Sequence, residues 1–243
     1  MKLDVLAFAA HPDDTELNCG GTLARLVQQG LKVGVVDLTQ GQMGTRGTPE
    51  QRLIEAENAA KVLGLSVRAN LGFHDTELFN DREHQIPIIE QVREYRPHIC
   101  LVGAPSDRHP DHGHATKLML DAIFYSGLRK LETGNNQEAW RPAHILHYMQ
   151  DRPFEPDFVF DISKTLDQKM KSLQAFETQF DVEKTDNEPA TYISSQSYFK
   201  QVEARARFYG HLGGFEFGEP FKYYNGPTPL SSFDFLNETK PTR

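Results

Sequence analysis

Two stretches rich in histidine and aspartate carry the side chains of this sequence that are best suited to chemistry. Residues 11–14 read His-Pro-Asp-Asp, and residues 106–114 read Ser-Asp-Arg-His-Pro-Asp-His-Gly-His. A catalytic zinc ion typically takes three protein ligands from His, Asp and Glu and leaves its fourth position to water. His11, Asp14 and His112 offer suitable side chains, so we predict that they bind Zn²⁺, with Fe²⁺ as the alternative metal.

Asp13 lies beside the predicted ligands and is not needed as one of them. A carboxylate next to a metal-bound water can accept its proton, and the metal lowers the pKa of that water from ~15.7 to ~7. We therefore predict that Asp13 is the general base. A structural interpretation stays open, because an Asp pair before a helix is also typical of a helix N-cap. The histidines of 106–114 would then be ordinary polar residues of a solvated loop.

The rest of the sequence predicts the elements that position these residues. Short runs rich in Val, Ile and Leu alternate with longer amphipathic stretches, which is typical of parallel strands connected through helices. We predict an α/β fold, a single-domain, Rossmann-like three-layer α/β/α sandwich with a mostly parallel sheet. The domain spans 1–243, with a core at about 1–175 and a C-terminal loop and helix region at about 176–243. The predicted strands are 3–10, 32–39, 67–72, 98–105 and 144–149, and the predicted helices are 21–30, 49–64, 86–96, 113–127, 164–176 (with Ser163 as its cap) and 196–213.

Polar loops follow three of the predicted strands. Residues 11–14 follow the first strand, a glycine-rich loop with Arg46 and then Arg52 follows the second, and residues 106–114 follow the fourth. In open α/β sheets, ligands bind beyond the carboxyl ends of the strands. We therefore expect these loops to converge on one site.

Composition limits the classes of partner. The formal net charge is −8 and the sequence has no cluster of Lys and Arg. A nucleic-acid groove needs concentrated positive charge, so we expect no nucleic-acid partner. No segment approaches the ~20 apolar residues of a membrane span, so we expect no membrane partner. Cys19 and Cys100 both lie in or beside apolar segments, which favours a protein of the reducing cytoplasm over a disulfide-bonded secreted one.

The stretches AHPDDTE and RHPDH together resemble the LmbE/PIG-L superfamily of zinc-dependent N-acetylglucosamine deacetylases. LNCGGTLARLVQQG and GQMGTRGTPEQRLIEAENAAKVLG resemble the branch that makes bacillithiol, the N-acetylglucosaminyl-malate deacetylases. The similarity covers nearly the whole chain. It implies a small-molecule N-acetyl amino sugar as substrate, N-acetylglucosaminyl-L-malate above all, whose hydrolysis releases acetate and the free amine. It also implies a homo-oligomer, with a hexamer favoured.

The resemblance further implies roles for individual residues. It assigns zinc to the three ligands named above and the role of base to Asp13. It implies that His109 acts as an acid or electrophile toward the tetrahedral intermediate, and that the neighbouring Asp111 orients a histidine.

Arg52 and Tyr192 match positions that in relatives approach the substrate or the developing oxyanion. A purely structural role stays open for both residues. Arg52 would then be an exposed helix arginine paired with Glu50 or Glu55, and Tyr192 would be a packing residue.

Substrate choice depends on cations, because a malate-bearing glucosaminide carries carboxylates. Arg108 and Arg46 are candidates, since the planar guanidinium binds a carboxylate through two hydrogen bonds. Chitobiose-type sugars and mercapturic-acid thiol conjugates are alternative substrates with the same chemistry.

Two other classes of protein fit the sequence less well. A Rossmann-like nucleotide-binding module would need G-x-G-x-x-G directly after the first strand, where this sequence has His-Pro-Asp-Asp. A purely structural zinc site would be a closed cage rich in cysteine. Neither pattern is present.

Overall fold

The structure is a computed structural model that describes residues 1–180, 189, 191–224 and 226. Within these residues seven strands and seven helices alternate for most of the chain. In chain order they are β1 (Val5–Ala9), α1 (Asp14–Gln28), β2 (Val33–Thr39), α2 (Pro49–Leu63), β3 (Val67–Phe73), α3 (Arg82–Tyr95), β4 (Ile99–Val102), α4 (Pro110–Ser126), β5 (His144–Tyr148), β6 (Phe158–Asp161), α5 (Leu166–Gln174), α6 (Glu177–Phe180), α7 (Gln196–Gly213) and β7 (Gly218–Tyr223).

All seven strands form one sheet in the order β3-β2-β1-β4-β5-β7-β6. Strands β1 to β5 pair in parallel, and β7 pairs antiparallel with both β5 and β6. The predicted α/β fold with a mostly parallel sheet is therefore confirmed. From β1 the chain first builds the sheet outward through β2 and β3, and then returns to the other side of β1 with β4. The loops after β1 and β4 thus leave the sheet side by side, at the switch point where such folds bind ligands.

Strand β1 shows why its sequence is an unbroken apolar run. Leu6 and Phe8 pack into a core with α3 and α4, and Val5 and Ala7 pack into a second core with α1. Both faces of the strand are covered by helices, so neither face favours polar residues. These two cores make the molecule three layers thick.

Three helices begin earlier than the sequence predicted: α3 begins at Arg82 rather than at residue 86, and the other two carry predicted site residues. α1 begins at Asp14 rather than at residue 21, and α4 begins at Pro110 rather than at residue 113. Proline suits the first helical turn because its missing N–H has no partner there anyway. As a consequence Asp14 and His112 lie in the first turns of helices, which are stiffer than loops.

The predicted cap of α5 is wrong. The helix begins after Thr165, and the Ser163 hydroxyl instead bonds Asp161 and the backbone N–H of Phe217. Ser163 therefore ties the end of β6 to the segment before β7.

Strand β7 was not predicted, because Gly218 and Pro220 interrupt its apolar pattern. It nevertheless lies between β5 and β6, and its Phe221 stacks on Phe158 with ring centres 5.6 Å apart. Residues 217–236 are rich in aromatic side chains, and the part of this stretch that forms β7 packs back onto the sheet. Residues 225 and 227–236 lie outside the described residues. Among the helices of the described ranges, none combines the length and the apolar character needed to cross a membrane.

Candidate active site

A pocket of about 360 Å³ opens at the carboxyl ends of the parallel strands. Its walls come from the segments that follow β1, β2, β3, β4 and β5, together with the segment before α7. The structure brings nine of the ten predicted site residues to this pocket, namely His11, Asp13, Asp14, Arg52, Arg108, His109, Asp111, His112 and Tyr192. Arg46 does not line it.

His11, Asp14 and His112 form a compact group that could hold a metal ion. The Asp14 carboxylate lies between the two rings, with Oδ2 3.6 Å from His11 Nδ1 and Oδ1 3.2 Å from His112 Nε2. Zinc bonds to nitrogen and carboxylate oxygen are ~2.0–2.2 Å long, so ligand atoms a little over 3 Å apart suit one ion. The donor set and its spacing therefore fit Zn²⁺.

The far side of each imidazole is held by another carboxylate. His11 Nε2 lies 3.2 Å from Asp111 Oδ2, and His112 Nδ1 lies 2.6 Å from Asp107 Oδ2. Such contacts fix the tautomer and the orientation of a metal-binding histidine, and they raise its basicity. Asp111 thus lies where it can orient the His11 ring.

A second group, His11, His109 and Asp111, is close enough together to hold a metal ion as well. Its atoms are already committed to one another, however. Asp111 Oδ2 accepts from the backbone N–H of Thr76 and faces His11 Nε2, while His109 Nδ1 accepts from the Asp111 N–H at 3.2 Å. An ion would have to displace these contacts, so this group fits a metal less well than His11, Asp14 and His112.

The electrostatics of the ligand group suit a cation. Although burial opposes the charge, hydrogen bonds to Asp111 and Asp14 raise the pKa of His11 to about 9. Burial likewise opposes the charge on His112, yet Asp14 and Asp107 raise its pKa to about 10. The two imidazoles in turn hold the pKa of Asp14 well below its usual range, against the effect of burial. A metal ion must displace the two ring protons when it binds.

Asp13 occupies the N-cap position of α1, yet its side chain makes no capping hydrogen bond. The carboxylate instead lies 3.2 Å from the Arg52 guanidinium, so the interpretation of Asp13 as an N-cap side chain is wrong. Its backbone φ is 107°, a strained value for a residue with a side chain, and such strain is concentrated at functional sites. Burial raises the pKa of Asp13 to about 7 although Arg52 opposes the shift.

Arg52 is buried, so the alternative of an exposed helix arginine is wrong. Its guanidinium bonds the carbonyl oxygen of Pro12 and faces Asp13, while Glu55 accepts hydrogen bonds from Thr178. Gly41, with φ 72°, lets the loop after β2 pass against the guanidinium, because a Cβ there would lie 3.0 Å from its central carbon. Arg52 thus contacts both Pro12 and Asp13 of the strained turn.

His109 is partly buried beside the ligand group, with its ring centre 4.9 Å from that of His11. Because Nδ1 accepts the Asp111 N–H, the neutral ring carries its own proton on Nε2. Burial, followed by the charges of His11 and His112, lowers the pKa of His109. The neutral ring is therefore a hydrogen-bond donor toward the pocket.

Arg108 and Tyr192 lie together at the rim of the pocket. The guanidinium of Arg108 lies 4.7 Å from the Tyr192 ring centre and pairs with Asp151 at 2.7 Å. The Tyr192 ring is 55% exposed and also packs edge-on against the Tyr198 ring, with centres 5.3 Å apart, so its interpretation as a packing residue stays open. An anionic substrate would share Arg108 with Asp151.

The structure does not place Arg46 where a substrate could reach it. Its side chain is buried, and its guanidinium donates to the carbonyl oxygens of Thr178 and Pro189. Arg46 therefore anchors the loop after β2, and its predicted contact with substrate carboxylates is not supported.

Sequence reasoning missed Asp107 and the loop after β3. In that loop Asp75 lines the pocket, and its Oδ1 is buried with no hydrogen-bond partner among the described residues. Asp75 Oδ2 accepts from the Met43 N–H, and Oδ1 lies 3.9 Å from His11 Nε2. The signal available in the sequence was the polar triplet His-Asp-Thr at 74–76, directly after a strand.

Comparisons with known proteins bear on this site. A family model described as PIG-L: GlcNAc-PI de-N-acetylase matches residues 6–123. This match begins in β1 and ends in α4, so it includes both stretches that supply the metal group.

Similar proteins cover most of the chain. A probable N-acetyl-alpha-D-glucosaminyl L-malate deacetylase 2 of Bacillus cereus is 32% identical, over 74% of this chain and 84% of that protein. Diacetylchitobiose deacetylase of Thermococcus kodakarensis is 28% identical, over 91% of this chain and 83% of that protein. The crystal structure of the conserved protein TT1542 from Thermus thermophilus superposes with a TM-score of 0.82 at 36% identity, over 95% of this chain and 97% of that one.

Proposed function

Because this chain belongs to the PIG-L/LmbE family of deacetylases, we propose that it hydrolyses the N-acetyl group of an N-acetylglucosamine derivative. The products are acetate and the free amino sugar. The observation that carries the proposal is the group of His11, Asp14 and His112 in the pocket, with Asp13 beside it.

We assign the metal to His11, Asp14 and His112, with Zn²⁺ as the first candidate and Fe²⁺ as the second. The spacing of the three side chains and the carboxylates behind both rings support this assignment. A bound divalent ion supplies a Lewis acid for the amide carbonyl and lowers the pKa of a water molecule.

The chain's own residues supply the proton transfers. Asp13 accepts a proton from the attacking water as general base, since its pKa of about 7 suits proton transfer near neutral pH. His109 donates a hydrogen bond from Nε2 to the carbonyl oxygen as negative charge develops on it. Asp13, now protonated, then gives that proton to the departing nitrogen, and Arg52 holds Asp13 in place.

Asp75 is a candidate for orienting the sugar. A buried carboxylate oxygen without a partner carries a desolvation cost that a substrate hydroxyl would remove by donating a hydrogen bond. A neutral sugar has such hydroxyls in abundance. We therefore assign Asp75 Oδ1 as a hydroxyl acceptor.

Two substrates differ in the group attached to the sugar. The sequence resemblance favours N-acetylglucosaminyl-L-malate, for which Arg108 is the pocket cation nearest the rim. A diacetylchitobiose-type disaccharide is the second candidate, because the Arg108–Asp151 pair leaves no uncommitted arginine among the described lining residues. Tyr192 would then offer an exposed aromatic surface to the second sugar.

The test is acetate release by the metal-loaded protein from N-acetylglucosaminyl malate, diacetylchitobiose and N-acetylglucosamine. A kcat/KM for the malate compound well above the others supports the first candidate, and the reverse order supports the second. Absence of acetate release from all three would contradict the proposed function.

We also infer a cytoplasmic enzyme and a homo-oligomer. The two cysteines, Cys19 and Cys100, are free and buried, which accords with a reducing compartment. The hexamer expected from the resemblance is tested by sedimentation velocity, where a monomer would contradict it.

A further inference from the structure

The first turn of α1 carries Asp14, but it lacks the usual means of fixing a helix start. The first amides of a helix are normally satisfied by the side chain of the N-cap residue. Here the N-cap is Asp13, and its carboxylate faces Arg52 instead. Something other than the cap must therefore fix the turn on the sheet.

Glu16 lies in that turn and is fully buried. It is the third helical residue, where a glutamate in a capping box would reach back to the N-cap amide. Its carboxylate instead pairs with the Arg68 guanidinium of β3 and accepts a hydrogen bond from the Thr15 hydroxyl. The Glu16 side chain thus links the first turn of α1 to β3, which lies two strands away from β1 in the sheet.

Arg68 uses its whole guanidinium in this link. Nε and one terminal nitrogen donate to the two carboxylate oxygens of Asp37 in β2, at 2.9 and 3.0 Å. The other terminal nitrogen contacts Glu16 and the carbonyl oxygen of Ala56 in α2. The three nitrogens of the planar guanidinium form a rigid fork of donors. This fork fixes the positions of β2, α1 and α2 relative to one another, which a lysine could not do.

Stability alone is a poor explanation for this group. One arginine and two carboxylates are almost completely buried, and a buried ion pair often contributes no more stability than apolar side chains of similar volume. None of Glu16, Asp37 and Arg68 lines the pocket, so none contacts a substrate there. What the group does determine is the position of the turn that begins with Asp14.

We propose that Arg68 is a positioning residue for the metal centre, acting through Glu16 and held in turn by Asp37. This inference rests on the proposed function, since it concerns the ligand that Asp14 provides. Loss of the fork lets the first turn shift, so Asp14 no longer meets His11 and His112 at the spacing that one ion requires.

The test compares Arg68→Lys and Glu16→Gln with wild type for zinc affinity, measured by competition with a chromophoric chelator. Both substitutions keep the approximate volume; Arg68→Lys removes the planar guanidinium, and Glu16→Gln removes the negative charge that it pairs with. Loss of such supporting contacts typically weakens metal binding ~10–100-fold, and we expect that range here. We expect kcat at sub-saturating zinc to fall in parallel, while KM stays within about twofold because the pocket lining is intact.

Arg93→Lys is the matched control. Arg93 is also buried, and its guanidinium also donates through all three nitrogens, to the carbonyl oxygens of Ser126, Leu128 and Leu131. Neither Arg93 nor these partners line the pocket. We expect this variant to lose thermal stability and to bind zinc like wild type. Wild-type zinc affinity in Arg68→Lys and Glu16→Gln, with a lowered melting temperature as in the control, would show that Arg68 is only structural and would overturn the proposal.

The test still gives a clear answer if a variant does not fold or if the wild-type protein is inactive. If Arg68→Lys does not fold, Glu16→Gln decides, because it removes a single charge without altering β3. A wild-type protein that binds zinc but releases no acetate contradicts the proposed function and leaves the positioning test valid. Wild-type protein that binds no zinc contradicts both.

Discussion

Substitution of Asp13 by Asn separates catalysis from folding and from metal binding. Asn keeps the size of the side chain, and Asn and Asp tolerate positive φ better than other residues with a side chain do. The φ of 107° should therefore survive in the variant. No capping hydrogen bond is lost, since the Asp13 side chain makes none.

The sign of the stability change follows from the pKa. Burial raises the pKa of Asp13 from 3.8 to about 7, so the folded protein disfavours the ionised side chain relative to the unfolded chain. A shift of about three pKa units corresponds to about 4 kcal/mol of lost stability in the metal-free protein at pH 7 and above. A neutral Asn removes that cost. We expect Asp13→Asn to unfold at the same temperature as wild type or at a higher one.

Activity should change in the opposite direction. A general base typically contributes ~10²–10⁴-fold, so kcat for acetate release should fall by that factor, or by about 3–5 kcal/mol in the barrier. Zinc affinity should stay near the wild-type value, because Asp13 is outside the ligand group. A variant that retains kcat within about tenfold of wild type, with zinc bound, would refute the assignment of Asp13 as the base.

Three other outcomes are expected. Asp107→Asn removes the charge behind His112 and should weaken zinc binding ~10–100-fold in a chelator competition, and unchanged affinity would contradict the role of Asp107. Because the pKa of His112 is about 10 in the folded metal-free protein and 6.5 unfolded, its stabilising effect is full below pH 6.5 and is lost as the pH rises to about 10. Thermal unfolding of the metal-free wild type should therefore lose more stability across that interval than His112→Gln does, and equal losses would contradict the shift. Asp75→Asn should raise KM for the sugar more than it lowers kcat, since it weakens a contact made in the ground state, and a selective loss of kcat would instead make Asp75 part of the chemistry.

Much of the sheet and the location of the site could be predicted, because both depend on local patterns. The apolar run of β1 followed at once by His11 shows where a buried strand ends, and the same holds for β4. The order of parallel strands then requires these ends to be neighbours. Nine of the ten predicted site residues accordingly line one pocket.

The starts of α1 and α4 could have been predicted more accurately. Pro110 is a helix-start signal, and the acids Asp14 and Asp111 suit a first turn, where the helix dipole favours negative charge. Strand β7 lacks a comparable local signal, since its place depends on pairing with distant strands.

The contacts of individual side-chain atoms lay beyond the sequence. Asp107 matters because its oxygen lies against His112, and Asp75 matters because its oxygen has no partner among the described residues. Neither fact has a signature in residue type or spacing. Arg46 illustrates the converse, since a loop arginine that suggested substrate binding is buried against backbone carbonyls.

The alternative of a nucleotide-binding module receives no support from the pocket. Six aspartates line it, against two arginines that each already face a carboxylate, and phosphates would be repelled there. A purely structural zinc site also fits poorly, because the metal group opens onto the pocket.

The measurement that tests the central claim most directly is the anomalous scattering of crystals grown with zinc, recorded on both sides of the zinc absorption edge. We expect one ion bonded at ~2.0–2.2 Å to His11, Asp14 and His112, with a further position open to the pocket. An ion held instead by His109 and Asp111, or no ordered ion in the pocket, would contradict the account.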